Sequence, residues 1–156
     1  MKTNTSKNMN NLDEVDVIYK YTSSMENRPC INDADDALVL LKDLYNTNKL
    51  GVQEQFLVLF LNRANCVIGC SNLFVGGLTT TVVDIKIVLA MALKLLASSI
   101  LISHNHPSGR LIPSEEDKTL TKKMLSALIL MDMKLLDHII VGPDYSYLSF
   151  ANDGIL

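Results

Sequence analysis

The chain has 156 residues, of which 48% are hydrophobic and 20% charged, and it carries a formal net charge of −3. This length suffices for one domain with a substantial core, and the composition excludes a wholly disordered protein. The acidic balance and the absence of a long lysine or arginine run argue against direct DNA binding.

The cysteines bear on the compartment. Cys30, Cys66 and Cys70 form an odd-numbered set with no signal peptide before them, which predicts free thiols in a reducing compartment and a cytoplasmic protein. Cys66 and Cys70 lie in a strand-like segment, so we expect both to be buried apolar fillers rather than zinc ligands. The longest apolar region, residues 87–102, is too interrupted to span a bilayer, and no membrane contact is expected.

The predicted elements begin after a polar tail. Residues 1–13 lack apolar clusters and are expected to be disordered. Residues 15–21 alternate and are rich in β-branched side chains, which predicts a short strand. Over residues 33–45 apolar positions recur at helical spacing, and acidic residues stand at the start, where the helix dipole favours them.

The middle of the chain predicts a hairpin, a helix and a further strand. Residues 54–61 are apolar on both faces, as in a strand buried on both sides, and a turn leads to a second strand over residues 66–75. A helix capped by Asp84 should run to Ala97 and, being apolar nearly all round, should be largely buried. Residues 98–103 then form a short buried strand.

The last third adds a helix and two strands. Ser114 begins the helix. Its apolar face is formed by Leu120, Met124, Ala127, Leu128 and Met131. Strands over residues 134–141 and 145–150 are joined by a turn. Alternating strands and helices with two hairpins predict an α/β (α+β) fold, a single domain over residues 14–156 with a mixed β-sheet flanked by helices.

The stretch HNHPSGRLIPSEED, residues 104–117, carries candidate metal chemistry. In extended backbone, residues two apart point to the same side, so His104 and His106 can converge on one ion. A tight loop then leads into the helix that begins at Ser114, with Asp117 in its first turn. Two histidines and a carboxylate suit a catalytic zinc ion that keeps one position open for water.

Glu54 is the candidate general base, which a zinc hydrolase needs near its activated water. It opens an apolar strand and shares its alternation with two phenylalanines of that strand, so its carboxylate requires a partner or a function. Simpler interpretations stay open. The histidines can be ordinary loop residues, Glu54 can be exposed at a strand end, and Ser114 with Asp117 fits a helix capping box without any metal.

The same stretch resembles the His-x-His-x7-Ser-x2-Asp signature of the JAMM/MPN metalloproteases, and more closely their RadC-like branch, long associated with DNA repair. The similarity continues in the same order through QEQFLVLFLN, AMALKLLASSILISHNHPSG, PSEEDKTLTKKM and LLDHIIVG. It covers about residue 32 to about residue 150, which is most of the chain. The resemblance implies a JAMM/MPN core, which is similar to that of the cytidine deaminases.

The resemblance also implies roles for individual residues. His104, His106 and Asp117 correspond to the zinc ligands. Ser114 corresponds to the residue that hydrogen-bonds the developing oxyanion, and Glu54 to the glutamate that moves a proton from water to the leaving amine. A peptide or protein would then be the substrate, and self-association into a homo-oligomer stays open.

The third histidine, His138, is expected to be structural or to support the ligands, because three protein ligands suffice for catalytic zinc. Counted by alternation, it shares a strand face with Leu136 and Ile140.

The chain departs from that family outside the metal motif. RadC proteins of full length carry an N-terminal helix-hairpin-helix region, and the roughly 30 residues before the matched region leave no room for one. VVDI at residues 82–85 stands where the family often has His-Pro-Arg-Glu, and VGGLTT at residues 75–80 replaces Ser-x-Gly-Thr-Leu-Asn. We expect both differences to lie near the substrate surface.

Three functions are therefore compared. The first is a zinc hydrolase that cleaves peptide or isopeptide bonds. The second is a DNA-repair or mobile-element accessory protein that binds a partner or nucleic acid without catalysis. The third is a structural metal module, which would not need Glu54.

Overall fold

A computed structural model describes residues 27–75 and 83–156 of the chain. The tail predicted for residues 1–13, the strand predicted for residues 15–21 and most of the two departures around residues 75–85 lie outside the described residues.

The described elements match the predicted ones to within a few residues. The helices are α1 (Ala34–Leu44), α2 (Ile85–Lys94) and α3 (Glu115–Ile129). The strands are β1 (Gln55–Leu61), β2 (Val67–Val75), β3 (Ser99–Asn105), β4 (Lys134–Val141) and β5 (Tyr147–Ser149). A 3-10 helix at Thr47–Lys49 was not predicted, and α2 ends at Lys94 rather than at Ala97.

The strands form one five-stranded mixed sheet in the order β2-β1-β3-β4-β5. The β1–β2, β1–β3 and β4–β5 pairs are antiparallel, while β3 and β4 are parallel and are connected through α3. The prediction of a single α/β domain with a mixed sheet flanked by helices is confirmed. Because β3 and β4 run in parallel, the loop that leaves β3 and the helix that follows it meet at one edge of the sheet.

The two faces of the sheet build separate cores. Leu57, Leu59 and Leu61 of β1 point to one side, where buried residues of α1 cover them, and we call this side the α1 face. The alternate β1 residues point to the other side, where α2 and α3 pack, and we call it the α2/α3 face. Full burial of β1 on both sides confirms the prediction drawn from its unbroken apolar run.

Each helix begins at a side chain that satisfies free backbone N–H groups. Asp33 caps α1 by accepting a hydrogen bond from the N–H of Asp36, and Asp84 caps α2 in the same way. Burial of α2 was overestimated from its apolar composition, because only Val88 and Ala92 are buried while Ile87 is 51% exposed. One side of α2 packs on the sheet, and no described element covers its opposite side.

The cysteine prediction was wrong. Cys30 and Cys66 are joined in a disulfide that spans 36 residues, and Cys70 is free and exposed rather than buried. The disulfide ties the segment before α1 to the turn between β1 and β2, two regions that sequence spacing did not connect. Because two of the three cysteines form a disulfide, the cysteines no longer indicate a reducing compartment.

Within the described ranges, no helix combines the length and the apolar content that a membrane crossing requires.

Candidate metal centre

The end of β3 places the first histidine on the α2/α3 face. His104 pairs in register with Phe56 of β1, and its side chain is almost fully buried. His106 follows after the strand has ended, and its N–H still donates to the carbonyl oxygen of Val141 at 2.9 Å, which extends the β3–β4 pairing by one bond. The two imidazole rings therefore lie side by side, with centroids 4.8 Å apart.

The loop after β3 turns His106 towards His104. Gly109 has a φ of +74°, in the left-handed region that favours glycine, and this turn brings the carbonyl of Arg110 back to the ring of His106. Nδ1 of His106 donates to that carbonyl oxygen at 2.6 Å. Because Nδ1 carries this proton, Nε2 of the neutral ring keeps its lone pair and can bind a metal.

The start of α3 supplies the carboxylate. Ser114 and Asp117 form the capping box that was one of the two interpretations of these residues. Oδ2 of Asp117 accepts hydrogen bonds from the N–H and the hydroxyl of Ser114, both at 2.7 Å. Its other oxygen, Oδ1, lies 3.2 Å from Nε2 of His104. The capping box thus orients the carboxylate and leaves Oδ1 directed at His104.

The three side chains converge as a donor set. Nε2 of His104 lies 2.9 Å from Nε2 of His106. Oδ1 of Asp117 lies 3.2 Å from Nε2 of His104, and Oδ2 lies 3.5 Å from Nε2 of His106. Ligand atoms about 2.1 Å from a tetrahedral zinc ion lie roughly 3.4 Å from one another, so the spacing suits such an ion. His104, His106 and Asp117 can therefore hold a metal ion, as their sequence spacing predicted.

The pKa values show that the three groups interact strongly. Burial by itself would raise the pKa of Asp117, but hydrogen bonds with His104, His106 and Ser114 outweigh it and hold that pKa well below the ordinary value. The hydrogen bond with Asp117 raises the pKa of His106, although burial opposes it. A metal cation bound by these side chains would have to displace such a proton, so metal binding at this site should depend on pH.

Glu54 lies near the end of β1 that pairs with His104. It directly precedes β1, is half-buried, and stands two residues before Phe56, the register partner of His104. The charge of Glu54 also contributes to the raised pKa of His106. A role for Glu54 as the general base stays a prediction.

Asn105, between the two histidines, was missed by the sequence analysis. Its side chain is fully buried on the α1 face, donates to the carbonyl oxygens of Leu50 and Gln53, and accepts from the N–H of Gln55 at 2.7 Å. These bonds fasten the segment that carries Glu54 to the strand end that carries the histidines. A polar residue at a buried strand position was the available signal.

His138 lies behind His104 and is not part of the donor set. Nε2 of His138 is 2.8 Å from Nδ1 of His104, and its own Nδ1 is 2.7 Å from the hydroxyl of Thr121. Burial lowers the pKa of His138 well below its ordinary value, so the ring is neutral. Thr121, a buried residue of α3, was not singled out from the sequence.

The face assignment of His138 needs one correction. A register shift lets Ile100 pair with Leu135 and the next residue, Leu101, pair with Asp137, so Leu136 is an extra residue in β4. Leu136 packs on the α1 face, whereas His138 reaches the α2/α3 face. The predicted shared face of Leu136 and His138 was therefore wrong.

Comparison with known proteins agrees with this geometry. A sequence model of the family described as "RadC-like JAB domain" matches residues 31–155. A UPF0758 protein of Porphyromonas gingivalis is 42% identical over 104 residues, which are 67% of this chain and 46% of that protein. The UPF0758 protein YfjY of Escherichia coli is 41% identical over 104 residues, 67% of this chain and 64% of that protein. UPF0758 protein YeeS of the same species is 39% identical over 110 residues, 70% of this chain and 74% of that protein.

The aligned region spans about half the length of several relatives, including 46% of the Porphyromonas protein and 44% of a UPF0758 protein of Flavobacterium johnsoniae.

Proposed function

Because this chain belongs to the RadC-like JAB-domain family, we propose that it is a zinc-dependent hydrolase that cleaves peptide or isopeptide bonds. The observation that carries the proposal is the convergence of His104, His106 and Asp117. Glu54 supports it, because it stands two residues before Phe56, the register partner of His104. Three protein ligands leave a fourth position of a tetrahedral ion for water or substrate, the pattern of catalytic rather than structural zinc.

His104, His106 and Asp117 are the proposed ligands, through Nε2 of each histidine and Oδ1 of the aspartate. A zinc ion held there would act as a Lewis acid and lower the pKa of a coordinated water towards about 7. The protein prepares the site for this ion, because Nδ1 of each ring and Oδ2 of the carboxylate are already engaged in hydrogen bonds.

Glu54 is the proposed general base and acid. Its carboxylate accepts the proton that the attacking water loses and returns it to the leaving amine, so no net proton is gained or lost by the protein over the cycle. A half-buried carboxylate suits both steps, because partial burial limits exchange with bulk water while the group stays close to the reacting atoms. The bonds of Asn105 hold the Glu54 segment in place for this task.

Ser114 is the proposed oxyanion donor. Its hydroxyl donates to Oδ2 of Asp117 in the structure, so donation to a substrate oxygen requires the hydroxyl to change partner. The backbone N–H of Ser114 still donates to Oδ2 when this happens, so the carboxylate keeps one of its two orienting hydrogen bonds. A hydrogen bond that strengthens as negative charge develops stabilises the transition state more than the bound substrate.

A non-catalytic role as a DNA-repair or mobile-element accessory protein is the alternative. The net charge of −3 disfavours broad electrostatic binding to nucleic acid, whose phosphates require a basic surface. A DNA-binding titration at low salt separates the alternatives, because phosphate binding gives an affinity that falls steeply as the salt concentration rises.

The test begins with zinc analysis of the purified protein and of the His104→Ala variant, followed by a library of peptide and isopeptide substrates. We expect about one zinc ion per chain, loss of zinc in the variant, and cleavage that a chelator abolishes and added zinc restores. The Glu54→Gln variant should bind zinc normally and lose hydrolysis by at least about 100-fold, the usual contribution of a general base.

Glu116→Gln is the matched control, because it neutralises an exposed carboxylate of α3 by the same chemical change. It should retain both zinc and activity. Normal cleavage by Glu54→Gln would contradict the assigned base, and absence of cleavage by the zinc-loaded protein across the library would contradict the hydrolase proposal.

A further inference from the structure

Three buried side chains connect the proposed metal centre to the interior of α3. His104, His138 and Thr121 are 5%, 0% and 3% exposed, and all three lie on the α2/α3 face. Their polar atoms form an unbroken series of contacts, 2.8 Å from His104 to His138 and 2.7 Å from His138 to Thr121. The hydroxyl of Thr121 then donates to the carbonyl oxygen of Asp117 at 2.6 Å.

The direction of these bonds follows from the number of protons available. A threonine hydroxyl has one proton, and Thr121 uses it on the carbonyl of Asp117, so towards His138 the hydroxyl can only accept. Nδ1 of His138 must therefore carry a proton. Because a neutral imidazole has only one, Nε2 of His138 has a lone pair, and Nδ1 of His104 must supply the proton of the bond between the rings.

The direction of these hydrogen bonds determines whether Nε2 of His104, the proposed metal-binding atom, carries a proton. With its proton on Nδ1, the neutral ring of His104 keeps the lone pair on Nε2, which lies 3.2 Å from Oδ1 of Asp117 and 2.9 Å from Nε2 of His106. The opposite tautomer would place a proton on Nε2 and block the ligand atom. We propose that His138 and Thr121 are positioning residues that hold His104 in the metal-binding tautomer, an inference that rests on the proposed metal centre.

The hydrogen-bonded series His104–His138–Thr121, here called the relay, is connected through Thr121 to the proposed ligand Asp117. Thr121 lies one helical turn after Asp117, so the same turn of α3 provides a proposed ligand through its side chain and the terminal acceptor of the relay through its carbonyl. His106 reaches the same tautomer more simply, by donating to the carbonyl of Arg110. Hydrogen bonds with different partners thus hold both His104 and His106 in the metal-binding tautomer before an ion binds.

Packing of the His138 ring against its neighbours would not by itself require a polar side chain at this position. His138 stacks on Phe150 with centroids 4.6 Å apart and meets Phe56 edge to face. A phenylalanine at position 138 would preserve such ring contacts but would offer no acceptor to Nδ1 of His104. The two roles of His138, filling space and accepting a hydrogen bond, can therefore be separated by substitution.

The experiment pairs each disruptive substitution with a conservative one. Thr121→Val removes the acceptor for His138, whereas Thr121→Ser keeps a hydroxyl. His138→Phe keeps an aromatic ring without an acceptor, whereas His138→Gln places an amide oxygen where Nε2 was. Tyr45→Phe, which removes a buried hydroxyl from the α1 face, controls for loss of stability without change at the centre.

Two readouts are independent of turnover. The first is the zinc dissociation constant, measured by competition with a chromophoric chelator. We expect Thr121→Val and His138→Phe to weaken zinc binding about 10- to 100-fold, the usual cost of losing a partner that orients a ligand. Thr121→Ser, His138→Gln and Tyr45→Phe should stay within about threefold of the unaltered protein, because each keeps an acceptor for Nδ1 of His104.

The second readout is the tautomer of His104 in the zinc-free protein, from imidazole ¹⁵N chemical shifts in long-range ¹H–¹⁵N spectra. The unaltered protein should show His104 protonated on Nδ1, and Thr121→Val should show a population protonated on Nε2. Protonation on Nε2 in the unaltered protein, or unchanged zinc affinity in folded Thr121→Val, would overturn the inference. If His138→Phe does not fold, the Thr121 pair still decides the matter. A protein that binds zinc with this pattern but hydrolyses nothing would contradict the proposed hydrolase alone.

Discussion

Polar side chains on the two faces of the sheet have different roles, although they come from the same strands. On the α1 face, the polar contact between the hydroxyls of Tyr45 and Ser103, 2.8 Å apart, ends at the carbonyl of Ile139 inside the core. Burial raises the pKa of Tyr45, so its hydroxyl stays neutral. On the α2/α3 face, the series from Thr121 through His138 runs outward to His104 and leaves a lone pair at the edge of the core. On the α1 face, the polar groups form hydrogen bonds with one another inside the core and stabilise it. On the α2/α3 face, they orient Nε2 of His104 for a ligand.

The largest expected effect tests the α1 face as a purely structural core. Leu41 is fully buried in α1, and Leu41→Ala should reduce the free energy of unfolding by about 2–5 kcal/mol. Zinc affinity per folded molecule should not change, since none of the three proposed ligands lies on that face. Urea denaturation and chelator competition measure the two quantities. Val39→Ala, at a position of the same helix that is 68% exposed, should stay within about 0.5 kcal/mol, and a large zinc effect of Leu41→Ala would show that the faces are coupled.

The Cys30–Cys66 disulfide should stabilise the same side of the molecule. It lies beside Ile31 and Val67, which pack in the α1 core, and closes a loop of 36 residues. Reduction, or Cys66→Ser, should lower the free energy of unfolding by about 2–4 kcal/mol, because the open chain gains conformational entropy. Cys70→Ser controls for thiol removal at an exposed site. Equal stability with and without reductant would contradict the contribution of the disulfide.

The helix caps give a matched comparison between the faces. Asp33 caps α1 and Ser114 caps α3, so replacement of either by alanine should cost about 0.5–2 kcal/mol of stability. Only Ser114→Ala should also weaken zinc binding, because the Ser114 hydroxyl orients Oδ2 of Asp117. Thermal unfolding and chelator competition on both variants test this. Zinc loss of the same size in Asp33→Ala would mean that general destabilisation, and not the cap at the site, reduces affinity.

The smallest expected effect is a dependence of folding stability on pH that arises from Asp137, on the α1 face. Burial raises the pKa of Asp137, although hydrogen bonds from Ser149 and from backbone N–H groups oppose the shift. A carboxyl whose pKa is raised on folding contributes stability that is fully present below the unfolded value, near 3.8, and is lost as pH rises through the folded value. The stability of the unaltered protein relative to Asp137→Asn should therefore decline over that window.

Urea denaturation across that pH range measures the difference between the two proteins. Asp153→Asn, at an exposed carboxylate in the C-terminal turn, serves as the matched control. A difference between the unaltered protein and Asp137→Asn that rises with pH would show that the hydrogen bonds outweigh burial.

Much of the fold could be predicted because its signals are local. Helix caps at Asp33, Asp84 and Ser114, and the unbroken apolar run of β1, depend on residues close together in the chain. The errors concern surfaces that distant segments cover or leave open. Composition predicted a buried α2, yet burial depends on which neighbours pack against each side. Pairing of Cys30 with Cys66 requires two segments to meet, and the spacing of cysteines contains no such information.

The candidate site, too, was predictable only where its signals are local. The separation of His104 from His106 and of Ser114 from Asp117 determined, by strand and helix geometry alone, that each pair could share one side. The alternation of β1 assigned Glu54 to the same strand face as Phe56. Only the tertiary structure decided that the two pairs meet, since the parallel β3–β4 crossover brings the start of α3 to the end of β3. It also decided that the extra residue Leu136 turns His138 towards His104. A register shift of one residue inverts every side chain beyond it, and it arises from pairing between strands rather than from either sequence segment alone.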